Sequence, residues 1–248
     1  FGLLINVSRG IARAPDPRRA AQGINAEIQV AVARLSADTP DQSAERCQLS
    51  PDLAFVADKL LAVGCVKFGD FTLKSGLHSP IYVDLRRLVG YPDILERVAN
   101  LYLPLIEKLS FDRLGALPYA ALPISSVISL LGRWPMIYPR KEIKEYGTRA
   151  DIEGVFHPGE KVLVIDDLAT TGGSKFEAID KFAAAGLSVS DIVVLIDRES
   201  GALEDLAAAG FQLQAVYKLS GLLDYWPSTR SVPAEDIAAT RRFLQDPH

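Results

Sequence analysis

The side chains best suited to chemistry lie in one stretch, Val162–Ser174, with the sequence VLVIDDLATTGGS. Its first four residues are apolar and predict a buried strand of a parallel sheet. Two carboxylates, Asp166 and Asp167, follow directly, and a run of small residues leads to a predicted helix over Lys175–Ala185. The predicted apolar stripe of that helix consists of Phe176, Ile179, Phe182 and Ala183. The acids and glycines thus lie between a strand's carboxyl end and a helix's amino end, where open α/β sheets bind ligands.

The residue types in this stretch indicate what the ligand is. Backbone N–H groups at Thr170–Ser174 and the positive end of the following helix suit a phosphate. Gly172 and Gly173 let the backbone approach an anion closely, and nearby hydroxyls add donors. Because Asp166 and Asp167 would repel the same phosphate, we expect them to accept hydrogen bonds from sugar hydroxyls. The stretch predicts a ribose-5-phosphate site; the alternative is an ordinary strand–turn–helix with an acidic turn.

The stretch resembles the signature with which type I phosphoribosyltransferases bind phosphoribosyl pyrophosphate (PRPP). It is neither a P-loop nor a dinucleotide-binding fingerprint, because it lacks the glycine spacing of both motifs. The resemblance implies a PRPP site at the following positions of this stretch: Asp166, Asp167, Leu168, Ala169, Thr170, Thr171, Gly172, Gly173 and Ser174.

The overall composition restricts the class of protein. The sequence has 248 residues, of which 48% are hydrophobic and 23% are charged, as in ordinary globular proteins. A net charge of −4 argues against nucleic-acid binding by bulk charge, and no apolar run is long enough to span a membrane. The two cysteines, Cys47 and Cys65, form no metal-binding or redox motif. We expect a cytoplasmic protein without nucleic-acid or membrane partners.

Residues 1–35 are predicted to form a strand and then a helix over Arg18–Leu35. The phrase LLINVSRGI followed by an Ala- and Arg-rich helix resembles the carboxy-terminal end of orotidine-5′-monophosphate decarboxylases. The resemblance implies that Arg9 is a phosphate-binding residue and that the segment is a remnant of a TIM barrel. The alternatives are an appended strand–helix unit and the first βα unit of the main domain. Since the sequence begins Phe1-Gly2 rather than with methionine, we interpret it as a piece of a longer protein.

The rest of the chain divides into a linker, a main domain and a tail. Residues 36–50 are polar and aperiodic, as linkers are. The main domain is predicted over residues 51–225, with Ser50 as the N-cap of its first helix and Pro51 at the first helical position. Residues 226–248 are interpreted as a tail with one helix.

A second informative segment, Val66–Arg86, is predicted to form a hairpin that turns at Lys74-Ser75-Gly76. Its phrases FTLKSG and SPIYVDLR resemble the amino-terminal segment of orotate phosphoribosyltransferases. The resemblance implies that Lys74 holds PRPP and that the backbone of Tyr82 and Val83 lies against the orotate ring. The alternative is a solvated loop lysine.

A third segment, Met136–Thr148, begins with a strand and continues with Arg140, Lys141 and Lys144. A reaction that expels pyrophosphate needs cations near the leaving group, and a mobile loop can supply them while excluding water. The phrase RKEIKEYG also resembles the orotate phosphoribosyltransferase catalytic loop, which closes over the partner subunit's active site. The resemblance implies that the three cations are catalytic and that Tyr146 contacts PRPP. A solvated charged loop is the alternative.

Two further loops complete the predicted site. Residues 118–123 are predicted to be a loop before a helix over Ile124–Leu131. The family holds pyrophosphate at this loop, and the resemblance implies that Tyr119 and Ala120 bind PRPP. After a predicted strand over Asp191–Ile196, the phrase LIDRESG resembles the family and implies that Arg198 binds the orotate carboxylate, with Thr170 also near orotate. Arginine suits this role because its planar fork binds carboxylates bidentately. The alternative is an exposed ion pair within residues 197–199.

Together these resemblances imply an orotate phosphoribosyltransferase. The expected fold is the type I phosphoribosyltransferase α/β fold: a central, mainly parallel sheet flanked by helices, with a small N-terminal hood and a mobile catalytic loop. The implied enzyme is a homodimer that uses Mg²⁺ carried by PRPP rather than by a protein cage, and it derives from a decarboxylase–transferase fusion of the UMP synthase type. The alternatives are a phosphoribosyltransferase for a purine or uracil and a non-catalytic PRPP-sensing regulator.

Overall fold

The computed structural model describes Asp16, residues 49–72, Gly76, residues 78–141 and residues 151–245. The chain divides into two units, Phe1–Glu45 and Arg46–His248. All of the helices and strands described below belong to the second unit. The strand and helix predicted within residues 1–35, together with Arg9, lie outside the described residues.

The described residues alternate between strands and helices, as the sequence predicts. The helices are α1 (Pro51–Ala62), α2 (Pro92–Ile106), α3 (Ala121–Gly132), α4 (Gly173–Ala184), α5 (Ala202–Ala208), α6 (Leu219–Thr229) and α7 (Ala234–Gln245), with a short 3₁₀ helix at Leu85–Gly90. The strands are β1 (Val66–Thr72), β2 (His78–Val83), β3 (Arg113–Ala116), β4 (Met136–Pro139), β5 (Ile152–Glu153), β6 (Lys161–Ala169), β7 (Ser188–Asp197) and β8 (Gln212–Lys218). None of these helices combines the length and hydrophobicity that a bilayer crossing requires.

The main sheet has the strand order β5-β4-β3-β6-β7-β8. The pairs β3–β4, β3–β6, β6–β7 and β7–β8 are parallel, and within the described part of this sheet the short β5 alone runs antiparallel to its neighbour, β4. Strands β1 and β2 form a separate antiparallel pair, as predicted for the segment that resembles the family's hood. The expected central, mainly parallel sheet flanked by helices is therefore confirmed, whereas the predicted catalytic loop after Lys141 lies outside the described residues.

Strand β6 shows why its sequence is apolar on both sides. Val162 and Val164 belong to one buried cluster, and Leu163 and Ile165 belong to the other. Successive strand residues point to opposite faces of a sheet, so both faces of β6 are covered. Helices α4 and α5 contribute to the first cluster, and α1, α2, α3 and α6 contribute to the second.

The segment after Tyr225, expected to be a tail, packs into the main core. Trp226 is fully buried, and its indole N–H donates to the Ala57 carbonyl at 3.3 Å. The Trp226 ring lies edge-on to Phe68, with the ring centroids 5.7 Å apart. Ile237 of α7 is also buried, so the last two helices close the same core that begins at α1.

Two local predictions need correction. Helix α3 begins at Ala121, so the predicted loop over residues 118–123 is too long. Pro123 does not prevent this, because the first N–H groups of a helix lack helical partners and proline loses nothing there. Ser50 precedes α1 as expected, but its side chain makes no capping hydrogen bond.

Candidate active site

The main sheet has one edge at which a ligand crevice is expected. Strands β3 and β6 are neighbours, but β3 is followed by β4 on one side and β6 by β7 on the other. Such a switch point leaves a crevice at the carboxyl ends of the two strands. The Leu117 N–H donates to the Ile165 carbonyl at 3.0 Å, which places the segment after β3 beside the acidic end of β6.

The two acids lie within β6 rather than after it. The strand continues to Ala169, which pairs with Asp197 of β7. Asp166 is only 6% exposed, and its Oδ1 accepts the Asp167 N–H at 2.9 Å. Its other carboxylate oxygen, Oδ2, lies 2.6 Å from Nζ of Lys175. The sequence analysis gave the two acids the same role, but the structure shows that they are not equivalent. Asp166 is engaged by the protein, and Asp167 is half-buried beside it.

The environment of Asp167 shifts its proton equilibrium. Burial is the largest cause, followed by the neighbouring Asp166 carboxylate, and together they raise the pKa of Asp167 well above its usual range. The charge of Lys175 acts in the opposite direction and lowers that pKa. A carboxyl group under such conditions gains from any ligand that donates hydrogen bonds to it, as a hydroxyl does.

The predicted phosphate cradle coincides with the start of α4. Gly172 has φ +79° and directly precedes the first helical residue, Gly173. A side chain is disfavoured in that left-handed conformation. Thr171, Gly173 and Ser174 are exposed, and the free N–H groups of a helix's first turn point toward this end. Thr170 is half-buried, and its carbonyl accepts the Ala202 N–H at 3.1 Å.

Leu168 and Ala169, which the family resemblance placed in the PRPP site, contribute backbone bonds inside the sheet. The Leu168 carbonyl accepts a hydrogen bond from Nζ of Lys175. Ala169 is fully buried, and its carbonyl accepts the Arg198 N–H at 2.9 Å. These bonds connect β6 to Lys175 of α4 and to Arg198, which follows β7.

Sequence analysis missed Lys175 as a site residue. This lysine is only 2% exposed and lies on the buried side of α4 with Ala178, Ile179 and Phe182. The predicted stripe used Phe176 instead, which is half-buried. The spacing of Lys175 from Ile179 and Phe182 is the i, i+4, i+7 spacing of one helix face. That spacing was the signal available in the sequence.

Arg198 lies at the carboxyl end of β7, as predicted. It is 8% exposed, and its Nε is buried without a hydrogen-bond partner among the described residues. Burial lowers the pKa of the Arg198 guanidinium. The alternative of an exposed ion pair within residues 197–199 is wrong: Glu199 instead accepts the Ser220 N–H at 2.8 Å, and Asp197 accepts the Glu199 N–H at 2.9 Å. The Nε donor of Arg198 is therefore not used by any described residue.

The structure brings the base of the predicted catalytic loop to the segment after β3. The ammonium of Lys141 lies 4.8 Å from the centroid of the Tyr119 ring, which is 58% exposed, and Ala120 beside it is buried. Arg140 forms an ion pair with Glu153 of β5, which anchors one end of the loop. A cavity of about 190 Å³ is lined by Arg140 and Lys141 together with Ser174 from α4.

The remaining predicted residues are less directly placed. Tyr82 and Val83 pair with Lys67 and Val66 in the two-stranded sheet, and no hydrogen bond between described residues links them to Arg198. Lys74, Lys144 and Tyr146 lie outside the described residues. Within the described ranges, no group of three or more His, Cys, Asp or Glu residues could hold a metal ion.

Comparison with curated proteins gives clear relatives, although no family model matches the chain. The chain is 41% identical over 168 residues to orotate phosphoribosyltransferase of Pyrobaculum islandicum, covering 67% of this chain and 87% of that protein. It is 39% identical over 189 residues to uridine 5′-monophosphate synthase of Bos taurus, covering 75% of this chain and 39% of that protein.

Comparison with solved structures gives relatives of the same two kinds. The UMP synthase of Leishmania donovani matches with a TM-score of 0.74 and 43% identity, covering 96% of this chain and 48% of that chain. The orotate phosphoribosyltransferase of Mycobacterium tuberculosis in complex with PRPP matches with a TM-score of 0.56 and 28% identity, covering 69% of this chain and 99% of that chain. The chain thus spans about half the length of the Leishmania protein, and less of the bovine one.

Proposed function

Because the chain belongs to the orotate phosphoribosyltransferase family, we propose that it transfers the ribose-5-phosphate group of PRPP to orotate in pyrimidine biosynthesis. The products are orotidine 5′-monophosphate and pyrophosphate. The observation that carries this proposal is the buried, unpartnered Nε of Arg198 at the edge of the sheet where β6 ends. The cradle suits any ribose 5-phosphate, whereas a buried guanidinium at the same edge of the sheet favours a base that bears a carboxylate.

The proposed roles follow the positions of the residues. The turn Thr170–Ser174 binds the 5′-phosphate, and the acids at the end of β6 bind the ribose hydroxyls. Arg198 orients orotate so that its ring nitrogen faces the anomeric carbon, and Thr170 and the backbone of Tyr82 and Val83 border the ring.

In the reaction, the bond from the anomeric carbon to pyrophosphate breaks and its electrons leave with pyrophosphate. The deprotonated ring nitrogen of orotate then forms the new bond. Arg140, Lys141 and Lys144 are proposed to stabilise the leaving charge. Lys141 lies over Tyr119 of its own chain, so the base of the loop borders the segment expected to hold pyrophosphate.

We propose that Mg²⁺ enters with PRPP. The described residues offer hard carboxylate oxygens at the end of β6, where Asp167 is the more accessible acid, but no cluster that would cage a cation. This donor set fits Mg²⁺, which usually binds through one or two carboxylates together with substrate phosphates. When bound, the ion neutralises pyrophosphate charge.

Two proposals concern assembly and location. We infer a homodimer in which Arg140, Lys141, Lys144 and Tyr146 reach the partner's site, on the basis of the loop resemblance. Mixing a loop variant with an Asp167 variant tests this, because mixed dimers would contain one intact site and regain activity. We also expect the protein in the cytoplasm, and fractionation of the source cells tests that location.

Residues 1–35 are proposed to be the end of a decarboxylase-like barrel in a fused protein, with Arg9 as its phosphate-binding residue. The match to the Leishmania UMP synthase covers 96% of this chain and so includes most of these residues. This coverage supports the proposal. The sequence of the complete transcript would show whether a barrel precedes Phe1.

The decisive test follows the near-ultraviolet absorbance of orotate in the presence of PRPP and Mg²⁺, each withheld in turn. We expect an absorbance loss that requires both. Absence of the loss, in folded protein that binds PRPP, would overturn the proposal. Turnover of uracil or a purine base would then identify another transferase, and PRPP binding without any turnover would identify a regulator.

A further inference from the structure

The ion pair between Lys175 and Asp166 is unusual because both partners are buried. The side chains of Lys175 and Asp166 are 3% and 8% exposed, and their charged atoms lie 2.6 Å apart. The same ammonium also donates to the Leu168 carbonyl and lies 3.4 Å from the Ser174 hydroxyl. Lys175 therefore contacts the acidic strand end and the first turn of α4 at once.

Packing alone does not account for this lysine. Its neighbours on the buried side of α4 are Ala178, Ile179 and Phe182, so an apolar side chain would suit the same position. Burying two charges is costly unless good geometry and extra hydrogen bonds compensate, and apolar replacements are often at least as stable. A buried pair beside a ligand crevice is better explained by what it does to the ligand-binding groups.

The pair determines how each carboxylate is directed. Both oxygens of Asp166 are engaged, Oδ1 by the Asp167 N–H and Oδ2 by Lys175. Asp167 is half-buried and is the more accessible of the two acids. The ammonium also offsets the negative charge of Asp166 beside a site that must accept an anionic ligand.

We propose that Lys175 is a positioning residue for the ribose diol of the substrate. It directs Asp166 inward and thereby fixes the end of β6, so that Asp167 is the acid that accepts the ribose hydroxyls. This inference rests on the proposed function for the identity of the ligand. A different role for Lys175, direct contact with the 5′-phosphate, is an outcome that the test distinguishes.

The test measures the affinities of PRPP, ribose 5-phosphate and inorganic phosphate by calorimetry. The variants are Lys175→Met, Asp166→Asn and the double variant, with Lys161→Met as the control. Lys161 is an exposed lysine at the first position of β6, the strand that contains Asp166. We expect Lys175→Met to weaken PRPP and ribose 5-phosphate about tenfold or more, the scale of a charge-assisted hydrogen bond. Inorganic phosphate should bind within about twofold of the wild type, because Lys175 acts on the diol through the acids.

The double variant distinguishes positioning from independent contacts. Once Lys175 is absent, adding Asp166→Asn should not weaken ribose 5-phosphate further, because interacting residues give non-additive effects. Three results would each overturn the inference. The first is an equal loss of affinity for inorganic phosphate, and the second is a loss of affinity in the double variant that equals the sum of the losses in the two single variants. The third is unchanged PRPP affinity in Lys175→Met.

Folding is checked for every variant by circular dichroism. If Lys175→Met alone does not fold, the double variant is compared with Asp166→Asn, and equal affinities for ribose 5-phosphate are expected, whereas weaker binding by the double variant would overturn the inference. Because the measurements concern binding, they test Lys175 even if the wild type shows no turnover of orotate. Failure of the proposed reaction is therefore distinguishable from failure of this inference.

Discussion

The hydroxyl of Tyr102 donates a hydrogen bond to the backbone carbonyl of Asp166, with 2.8 Å between the oxygens. Tyr102 is completely buried in α2, and this bond connects that helix to the acidic end of β6 across the core. The position of the acids therefore depends on a side chain that lies away from the crevice. Burial, the largest cause, raises the pKa of Tyr102, so the hydroxyl keeps the proton that it donates.

The first prediction concerns this bond. We expect Tyr102→Phe to lower the free energy of unfolding by about 1–3 kcal/mol, because the Asp166 carbonyl is left buried without its partner. PRPP binding should weaken as well. The measurements are urea unfolding and calorimetry. Tyr225→Phe is the matched control, since its hydroxyl bonds to Asp58 at 3.1 Å in another part of the core. Unchanged stability in Tyr102→Phe would contradict the role given to the bond.

The second prediction concerns the effect of Asp167 on the stability of the ligand-free protein. Its raised pKa means that the folded state retains a proton that the unfolded state releases, so ionisation of this group destabilises the protein as the pH rises above about 4. We expect Asp167→Asn to stabilise the ligand-free protein by about 1 kcal/mol at neutral pH, less at pH 5, while PRPP binding is impaired. Thermal unfolding across this range checks the trend. A variant that is less stable than wild type at every pH would refute it.

The third prediction concerns Glu160, whose carboxylate binds Arg113 through two hydrogen bonds of 2.6 and 2.8 Å. These bonds lower the pKa of Glu160 from 4.5 to about 2. The contribution of the pair to stability is therefore complete above pH 4.5 and is lost as the pH falls toward 2. Glu160→Gln should be less stable than wild type at pH 6, and the difference should shrink in acid. A difference that stays constant with pH would show that the ionised pair is not its cause.

The fourth prediction tests the base specificity assigned to Arg198. Replacing Arg198 with glutamine should raise the KM for orotate by about 10- to 100-fold, because a charge-assisted hydrogen bond contributes about 1.5–3 kcal/mol. The KM for PRPP should change little. Steady-state kinetics with each substrate varied separately provides the measurement. A larger increase in the KM for PRPP than in the KM for orotate would contradict the assignment of Arg198 to orotate binding.

The fifth prediction concerns the catalytic loop. Lys144→Ala should lower turnover by about 10²–10³, the scale of losing one preorganised donor to the developing charge. Single-turnover kinetics with saturating substrates measures the chemical step directly. Lys161→Ala serves as the control for removing an exposed lysine. A loss of less than about threefold would remove Lys144 from the mechanism.

Sequence patterns located the sheet and the crevice because their signals are local. The apolar run Val162–Ile165 and the glycines after it fix a buried strand and a turn at known positions. The confirmed antiparallel pairing of β1 with β2 and the placement of Arg198 at the end of β7 follow from the same kind of signal. In each case the residues that decide the structure are adjacent in the chain.

Most of what the sequence patterns did not reveal depends on contacts between residues that are separated in the chain. Lys175 has the helical spacing of the buried stripe, but a lysine is expected at such a position only when a partner such as Asp166 is known to neutralise it. Trp226 lies in the core because Ala57, far earlier in the chain, accepts its N–H. The proline in the first turn of α3 was interpreted as part of a loop because proline permits either structure there.

The bond between Trp226 and Ala57 joins residues that are 169 positions apart in the sequence. A ribosome adds amino acids at about 5–20 per second, so Ala57 is synthesised several seconds before Trp226. During that time the apolar side of α1 has no final partner, and a nascent chain exposes it to chaperones or to other nascent chains. We therefore expect this part of the core to be completed only late in translation, when α6 and α7 emerge.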